Sequence, residues 1–290
     1  MKILLAVDPP GASDNAVREV ATRPWPPDTT VEVISVAEPA SVMDVPSLIE
    51  GLEEAARTTA QSAADQLRAA GLNATARAFF GHAKSAIIDH ARETAPELIV
   101  VGSRGRPGIA RVLLGSVAAA VARFAPCSVE IVRRQSTAPE HPPMKILLAT
   151  DGSECSLLAA QSIAKRPWPA GSQVRAVSVA ELSVPLIEMP YFNPKTMEKL
   201  RGEAMQRAEQ AQMSAEETLA AAGLRESGTV AVPTGTPKEV ILENAEDWGA
   251  DLIVCGSHGR RGLSRFFLGS VSEAVALHAD CSVEIIRAPA

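Results

Sequence analysis

The sequence predicts an α/β protein built from two tandem doubly wound domains, each a five-stranded parallel sheet with helices on both faces. Three observations predict it. Long words recur: "MKILLAVD" at Met1 returns as "MKILLATD" at Met144, and "PELIVVGSRGR" returns as "ADLIVCGSHGR". Within each copy, short β-branched runs alternate with longer helix-forming stretches, the pattern of βαβ units. The chain has 290 residues, enough for each copy to bury a core of its own.

The elements follow in order. "KILLAVD" is a short apolar run ending at Asp8 and reads as a buried first strand. "ASDNAVREVAT" has the spacing of a first helix, and "VEVISVA" of a second strand. The alanine-rich run from Ser47 to Ala70 supplies the second helix, and "ATARAFF" the third strand. "KSAIIDHARET", "ELIVVG", "SVAAAVARF" and "SVEIVR" complete the copy as helix, strand, helix and strand. In the second copy the long counterpart of the second helix is "NPKTMEKLRGEAMQRAEQAQMSAEETLAAAG". Parallel strands joined by helices need cover on both faces. The common order for five such strands is 3-2-1-4-5, with a crevice where the order reverses between strands one and four.

The offsets between the copies locate an insertion. "RPWPPDTTVEVISVAEP" matches "RPWPAGSQVRAVSVAEL" at an offset of 143, whereas "APCSVEIVR" matches "ADCSVEIIR" at 154. The second copy therefore carries extra residues, mostly between Leu182 and Gly223. They include "PLIEMPYFNP", with the single tyrosine. "RQSTAPEHPP" is polar and proline-rich, as a connection should be. The expected division is residues 1–134, a linker at 135–143, and residues 144–290.

Composition narrows the partners. A net charge of −6 and an aromatic content of 3% disfavour a nucleic-acid backbone or stacked bases as the ligand. No apolar run reaches the roughly 18 residues needed to cross a membrane. Four cysteines without a CxxC pair point to a reducing cytoplasm rather than a disulfide framework or zinc site. Cys127 and Cys281, at the start of the last strands, read as small buried hydrophobes. His82 begins the third helix, but Thr236 replaces it in the other copy, which argues against a metal ligand.

Chemistry concentrates after the fourth strand. "GSRGRPGIARVLLGS" from Gly102 and "GSHGRRGLSRFFLGS" from Gly256 share glycines and a closing serine at one spacing. Neither has the lysine of a P-loop nor the spacing of a dinucleotide fingerprint. Glycines such as Gly102 and Gly105 let backbone approach a ligand, and their amides suit an anion. Ser116 and Ser270 fall at helix N-termini, where free amides and the dipole favour negative charge. As helix N-caps they would cap with their side chains, Ser270 with Glu273 in a capping box. Hydrogen bonds to charge contribute roughly 1.5–3 kcal/mol each. Three or four would hold a triphosphate near micromolar affinity if the base and sugar also found contacts.

The Gly-x2-Gly-x9-Gly-Ser pattern, with a first strand ending in Asp and the "CSVEI" final strand, resembles the universal stress protein family in its tandem-domain, ATP-binding form. The resemblance implies a stress-response module that binds ATP, with Mg2+ held through the phosphates. It assigns phosphates to Gly102, Gly105, Gly115 and Ser116, and to Gly256, Gly259, Gly269 and Ser270. It assigns adenine and ribose to Asp8 with Val36, and to Asp151 with Val179. It further implies that the last strands pair, so that the two domains imitate a dimer within one chain; a homodimer of chains and an unidentified protein partner are also compatible. Slow ATP hydrolysis at the same cradles and a nucleotide-free scaffold stay open as alternatives. One departure separates the copies. The family follows the first-strand Asp with Gly-Ser, as "DGSECS" does, but the first copy reads "DPPGAS", and Pro9 and Pro10 remove two amides.

Overall fold

The first domain runs β1 (Lys2–Val7), α1 (Asp14–Thr22), β2 (Thr30–Ala37), α2 (Pro46–Ala69), β3 (Asn73–Phe80), α3 (Ala83–Thr94), β4 (Leu98–Gly102), α4 (Ser116–Phe124) and β5 (Ser128–Val132). The second runs β6 (Lys145–Ala149), α5 (Glu154–Lys165), β7 (Gln173–Val177), α6 (Pro194–Ala221), α7 (Pro237–Trp248), β8 (Leu252–Gly256), α8 (Ser270–His278) and β9 (Ser282–Ile286). These elements come from a computed structural model that describes residues 1–8, 13–39, 46–103, 114–133, 142–182, 193–224, 234–259 and 268–288.

All described strands join one sheet in the order β3-β2-β1-β4-β5-β9-β8-β6-β7. The first five give the expected 3-2-1-4-5 order, all parallel. The second domain repeats it from β7 through β6 and β8 to β9; the counterpart of β3 would fall outside the described residues. β5 and β9 pair antiparallel, with Glu130 opposite Glu284 and Val129 and Ile131 opposite Ile285 and Val283. The last strands therefore meet as expected, and neither is left as an open edge.

The two faces of this joined sheet are packed differently. Strand residues alternate between faces. On one face Ile99, Ile131, Ile253 and Val283 belong to a single core that runs beneath α3, α4, α7 and α8 of both domains. On the other face the cores stay separate. Leu5 and Val100 pack under α1 and α2, while Leu148 and Val254 pack under α5 and α6.

An ionic cluster occupies the gap between those two cores. Glu130 and Glu284 point to this face and are fully buried. The Arg23 guanidinium donates to both carboxylate oxygens of Glu130, one at 3.2 Å, and Arg166 donates to Glu284 at 2.8 Å. Each arginine opens an Arg-Pro-Trp-Pro word and lies over its own tryptophan, Arg23 at 4.3 Å from Trp25 and Arg166 at 5.0 Å from Trp168. Arg23 also reaches Trp168 of the other domain, at 5.6 Å. Burial pushes the Glu130 carboxyl up to about 7 against the pull of Arg23, with Glu284 adding to the rise.

Candidate functional site

In the second domain the ends of β6 and β8 come together through short polar links. Asp151 follows β6, and its carboxylate accepts from the Ser153 amide at 3.0 Å, closing an Asx turn. Ser153 caps α5 by accepting from the Ser156 amide, and its hydroxyl donates to the His258 carbonyl at 3.2 Å. The turn after the first strand of this domain is thus tied to the loop after its fourth.

Two glycines in that loop are dictated by close approach. A Cβ on Gly256 would lie 2.8 Å from the Cys155 backbone carbon and 2.9 Å from the Ser156 amide nitrogen. A Cβ on Gly259 would lie 2.7 Å from an Asp151 carboxylate oxygen. Any larger residue at Gly259 would fill the space that Asp151 faces.

Helix α8 then rises from the far side of the same space. The Gly269 amide donates to the Ser257 carbonyl at 2.8 Å, and the Glu273 amide donates to the Gly269 carbonyl at 2.8 Å. The residue whose carbonyl accepts the first helical bond is the N-cap, so Gly269 holds that place and Ser270 is the first helical residue. The same holds for Gly115 and Ser116 in α4. This corrects the expectation that the serines cap these helices. Neither helix has a side-chain cap, and the expected box with Glu273 does not form. Its carboxylate instead lies 3.9 Å from Arg123 of the first domain. A different serine braces the turn, since Ser272 donates to the carbonyls of Ser257 and Gly269, each at 2.9 Å.

Together these parts enclose a cavity of about 560 Å³ at the carboxyl ends of the strands. Its lining brings together all six residues expected in this domain: Asp151, Val179, Gly256, Gly259, Gly269 and Ser270. It also includes residues the sequence did not single out. Thr150 and Ser156 add hydroxyls, Pro237 and Ile241 add an apolar wall from α7, and Glu181 and Arg207 add opposite charges. Arg207 is the one lysine or arginine among the described lining residues, and it comes from α6. The α6 run was recognised as a long helix, but nothing in its spacing marks which turn overhangs the strand ends.

Chemically this is a site for a partly anionic ligand, since its lining combines the N-terminus of α8 and hydroxyl groups with valine, proline and isoleucine. His258 also lines it, its Nδ1 at 3.1 Å from the Ser257 hydroxyl. Burial and the nearby Arg287 hold its imidazole below the usual range. Cys255 lines the wall as a thiol that burial pushes up to about 12, far from a thiolate nucleophile. Burial does the same to Cys127, and all four cysteines are free. Among the described residues, no group of three histidine, cysteine or acidic side chains converges as a metal site. No described helix is long and apolar enough to cross a membrane.

The first domain keeps the frame of this site. The Gly115 amide donates to the Ser103 carbonyl at 2.8 Å, and Ser103 donates to Val132 at 2.9 Å, as Ser257 does to Ile286 at 2.8 Å. Gly102 ends β4, Gly115 and Ser116 open α4, and Val36 lies in β2. Asp8 directs its amide to the Ser13 hydroxyl at 2.8 Å. Gly105, Pro9 and Pro10 lie outside the described residues.

Comparison with known proteins agrees with this architecture. The model of the universal stress protein family matches residues 1–133 and again residues 143–287. A universal stress protein of Mycolicibacterium smegmatis is 29% identical over 298 residues, covering 98% of this chain and 96% of its own length. One from Mycobacterium tuberculosis is 33% identical over 192 residues, a match that spans 63% of this chain and 59% of that relative. The crystal structure of a universal stress protein from Archaeoglobus fulgidus shares the fold across 99% of this chain, with a TM-score of 0.67 at 22% identity. Two family matches that together cover nearly every residue place this chain in the universal stress protein family, in a tandem two-domain form.

Proposed function

We propose that the chain is a cytoplasmic stress-response module that binds ATP in the second-domain cavity. One observation carries this reading: two groups of residues, assigned separately to base with sugar and to phosphate, line one cavity of fitting size. Asp151 and Val179 would hold the ribose and adenine. Gly256, Gly259, Gly269 and Ser270 would hold the phosphates through backbone amides and the N-terminus of α8. The fit rests on the cradle itself, because a Cβ at Gly259 would meet Asp151 and close it. ATP would bring its Mg2+ on the phosphates, supplying the positive charge that lets a triphosphate lie beside Asp151.

The equivalent residues Asp8, Val36, Gly102, Gly105, Gly115 and Ser116 would supply a second, weaker cradle. Thr150, Ser153 and Ser272 have hydroxyls, whereas their counterparts Val7, Pro10 and Ala118 have none. In the second domain these hydroxyls bond within the cradle, to Ser156, to the His258 carbonyl and to the Ser257 and Gly269 carbonyls, so the first cradle lacks the bonds that hold its counterpart in shape.

Gentle denaturation of purified protein should release adenine nucleotide, and calorimetry with Mg-ATP should give close to one tight site per chain. Absence of both released nucleotide and heat would end this reading.

A further inference from the structure

We infer that Arg133, a residue of the first domain, is a positioning residue for the second-domain cavity. Arg133 follows β5, and its guanidinium donates to the carbonyls of Ala276 and Leu277, the latter at 3.2 Å. Those carbonyls lie in the last turn of α8, where no further helical amide reaches them. The first turn of the same helix supplies Ser270 and Ser272 to the cavity. Helix α8 has nine residues, so about 13 Å separates the capped end from the ligand end. A short rod held at one end by another domain transmits that hold to its other end.

The mirror contact shows that this is a built feature. Arg287, after β9, donates to the carbonyls of Ala122 and Arg123 at 2.6 and 3.1 Å, in the last turn of α4. Each arginine also fixes its own backbone across the seam, Arg133 to the Ser282 hydroxyl and Arg287 to that of Ser128, both at 3.2 Å. Each domain thus caps the helix that opens the other domain's cradle. A cation at a helix C-terminus also complements the dipole whose positive end faces the cavity. For α8 the first domain touches both ends, since Arg123 lies 3.9 Å from Glu273 in the first turn.

The cavity of one domain is therefore set by the arginine of the other. The effect on ligand rests on the proposed ATP site, but the effect on the helix does not. The test uses the full chain with Arg133→Met, which removes the charge and the donors but keeps an unbranched stem, and Arg133→Lys, which restores a cation. Amide hydrogen exchange without nucleotide should be about tenfold faster at Gly269 and Glu273 in the methionine variant, with most of the protection regained by lysine. Affinity for Mg-ATP should fall about tenfold and recover in the same way. Unchanged exchange at Gly269 and Glu273 overturns the inference, whatever happens to nucleotide. A rise spread evenly over the chain, as general loss of stability produces, overturns it as well. If the wild-type chain binds no Mg-ATP, the proposed function falls, and exchange alone decides the role of Arg133.

Discussion

The two domains share one scaffold and differ where ligand would touch it. Along the seam they are near mirror images: β5 and β9 pair about Glu130 and Glu284, and each glutamate meets the arginine of its own Arg-Pro-Trp-Pro word. At the strand ends they diverge. The second domain has Thr150, Ser153 and Ser272 where the first has Val7, Pro10 and Ala118. Each of these differences gives the second domain a hydroxyl that the first lacks, while the cradle glycines are common to both. The two copies agree in what holds the halves together and differ at the strand ends.

The largest effects should come from breaking the seam. Removing one partner of a buried ion pair leaves the other charge uncompensated and costs about 3–5 kcal/mol. Glu130→Ala and Glu284→Ala should both fall in that range by chemical denaturation. They should not be equal, however. Arg23 keeps a second carboxylate, Glu19 at 3.5 Å, whereas the position of Glu19 is Ser162 in the other copy, and Arg166 reaches only its carbonyl. Glu284→Ala should therefore be the more damaging change, and the reverse order would break the assignment of these partners.

Next in size is the cradle. Gly259→Val forces branched carbons against the Asp151 carboxylate. It should weaken Mg-ATP binding by about a hundredfold, near 3 kcal/mol. Gly105→Val, at the matching place in the first domain, should leave the tight site unchanged in the same titration. Equal losses from both would mean that the domains share the binding, and the contrast drawn between them would fail.

Much of this was legible before any coordinates, and the misses have physical causes. The repeated words and the period-two runs were enough to predict the doubly wound domains, and the family resemblance, with the nearly identical last strands, implied their pairing. Of the cavity's lining, Asp151 and the glycine loop with Ser270 were legible because topology puts strand ends and glycine loops at one crevice, and Val179 through the family resemblance. The buried cluster was not. In "SVEIV" a glutamate between apolar residues looks like the solvent side of an alternating strand. Its arginine is 107 residues away in a proline-rich turn, so no local pattern joins them. The recurrence of both words at matching places in the two copies was the available signal. The caps of α4 and α8 were misjudged because serine usually fills that place. Here the bond from each glycine amide to Ser103 or Ser257 fixes the glycine outside the helix. Arg207 escaped notice because it stands where the aligned position of α2 has Ala55, and a single arginine in a helix rich in charged residues has no local signal that its turn lines a cavity.

The seam also carries a pH dependence. The Glu130 carboxyl, pushed from an ordinary 4.5 to about 7 by burial and by Glu284, keeps in the folded chain a proton that the unfolded chain has released. That contribution to stability is complete below 4.5 and is lost as pH rises through about 7. Urea midpoints should therefore decline between pH 5 and pH 8, with a slope no steeper than about 1.4 kcal/mol per pH unit. Glu130→Gln should flatten that decline while lowering stability throughout. A midpoint that climbs over this interval in the wild type, and still climbs in the glutamine variant, would remove Glu130 from the explanation.

The smallest effect isolates a single hydroxyl that distinguishes the domains. Ser272 donates to the Ser257 carbonyl, which also accepts from the Gly269 amide, and to the Gly269 carbonyl. Ser272→Ala gives the second domain the residue the first already has at Ala118. Neither carbonyl is orphaned, because Gly269 still serves Ser257 and Glu273 still serves Gly269. The loss is then one net hydrogen bond, about 1 kcal/mol. It falls on the turn between the cradle and α8, so Mg-ATP affinity should weaken about fivefold with little change in the thermal midpoint. The reciprocal Ala118→Ser should add no tight site, since Val7 and Pro10 still deny the first domain its other hydroxyls. If Ala118→Ser alone raised the stoichiometry from one to two, the difference between the domains would reduce to this one position, and the prolines after Asp8 would no longer be needed to explain it.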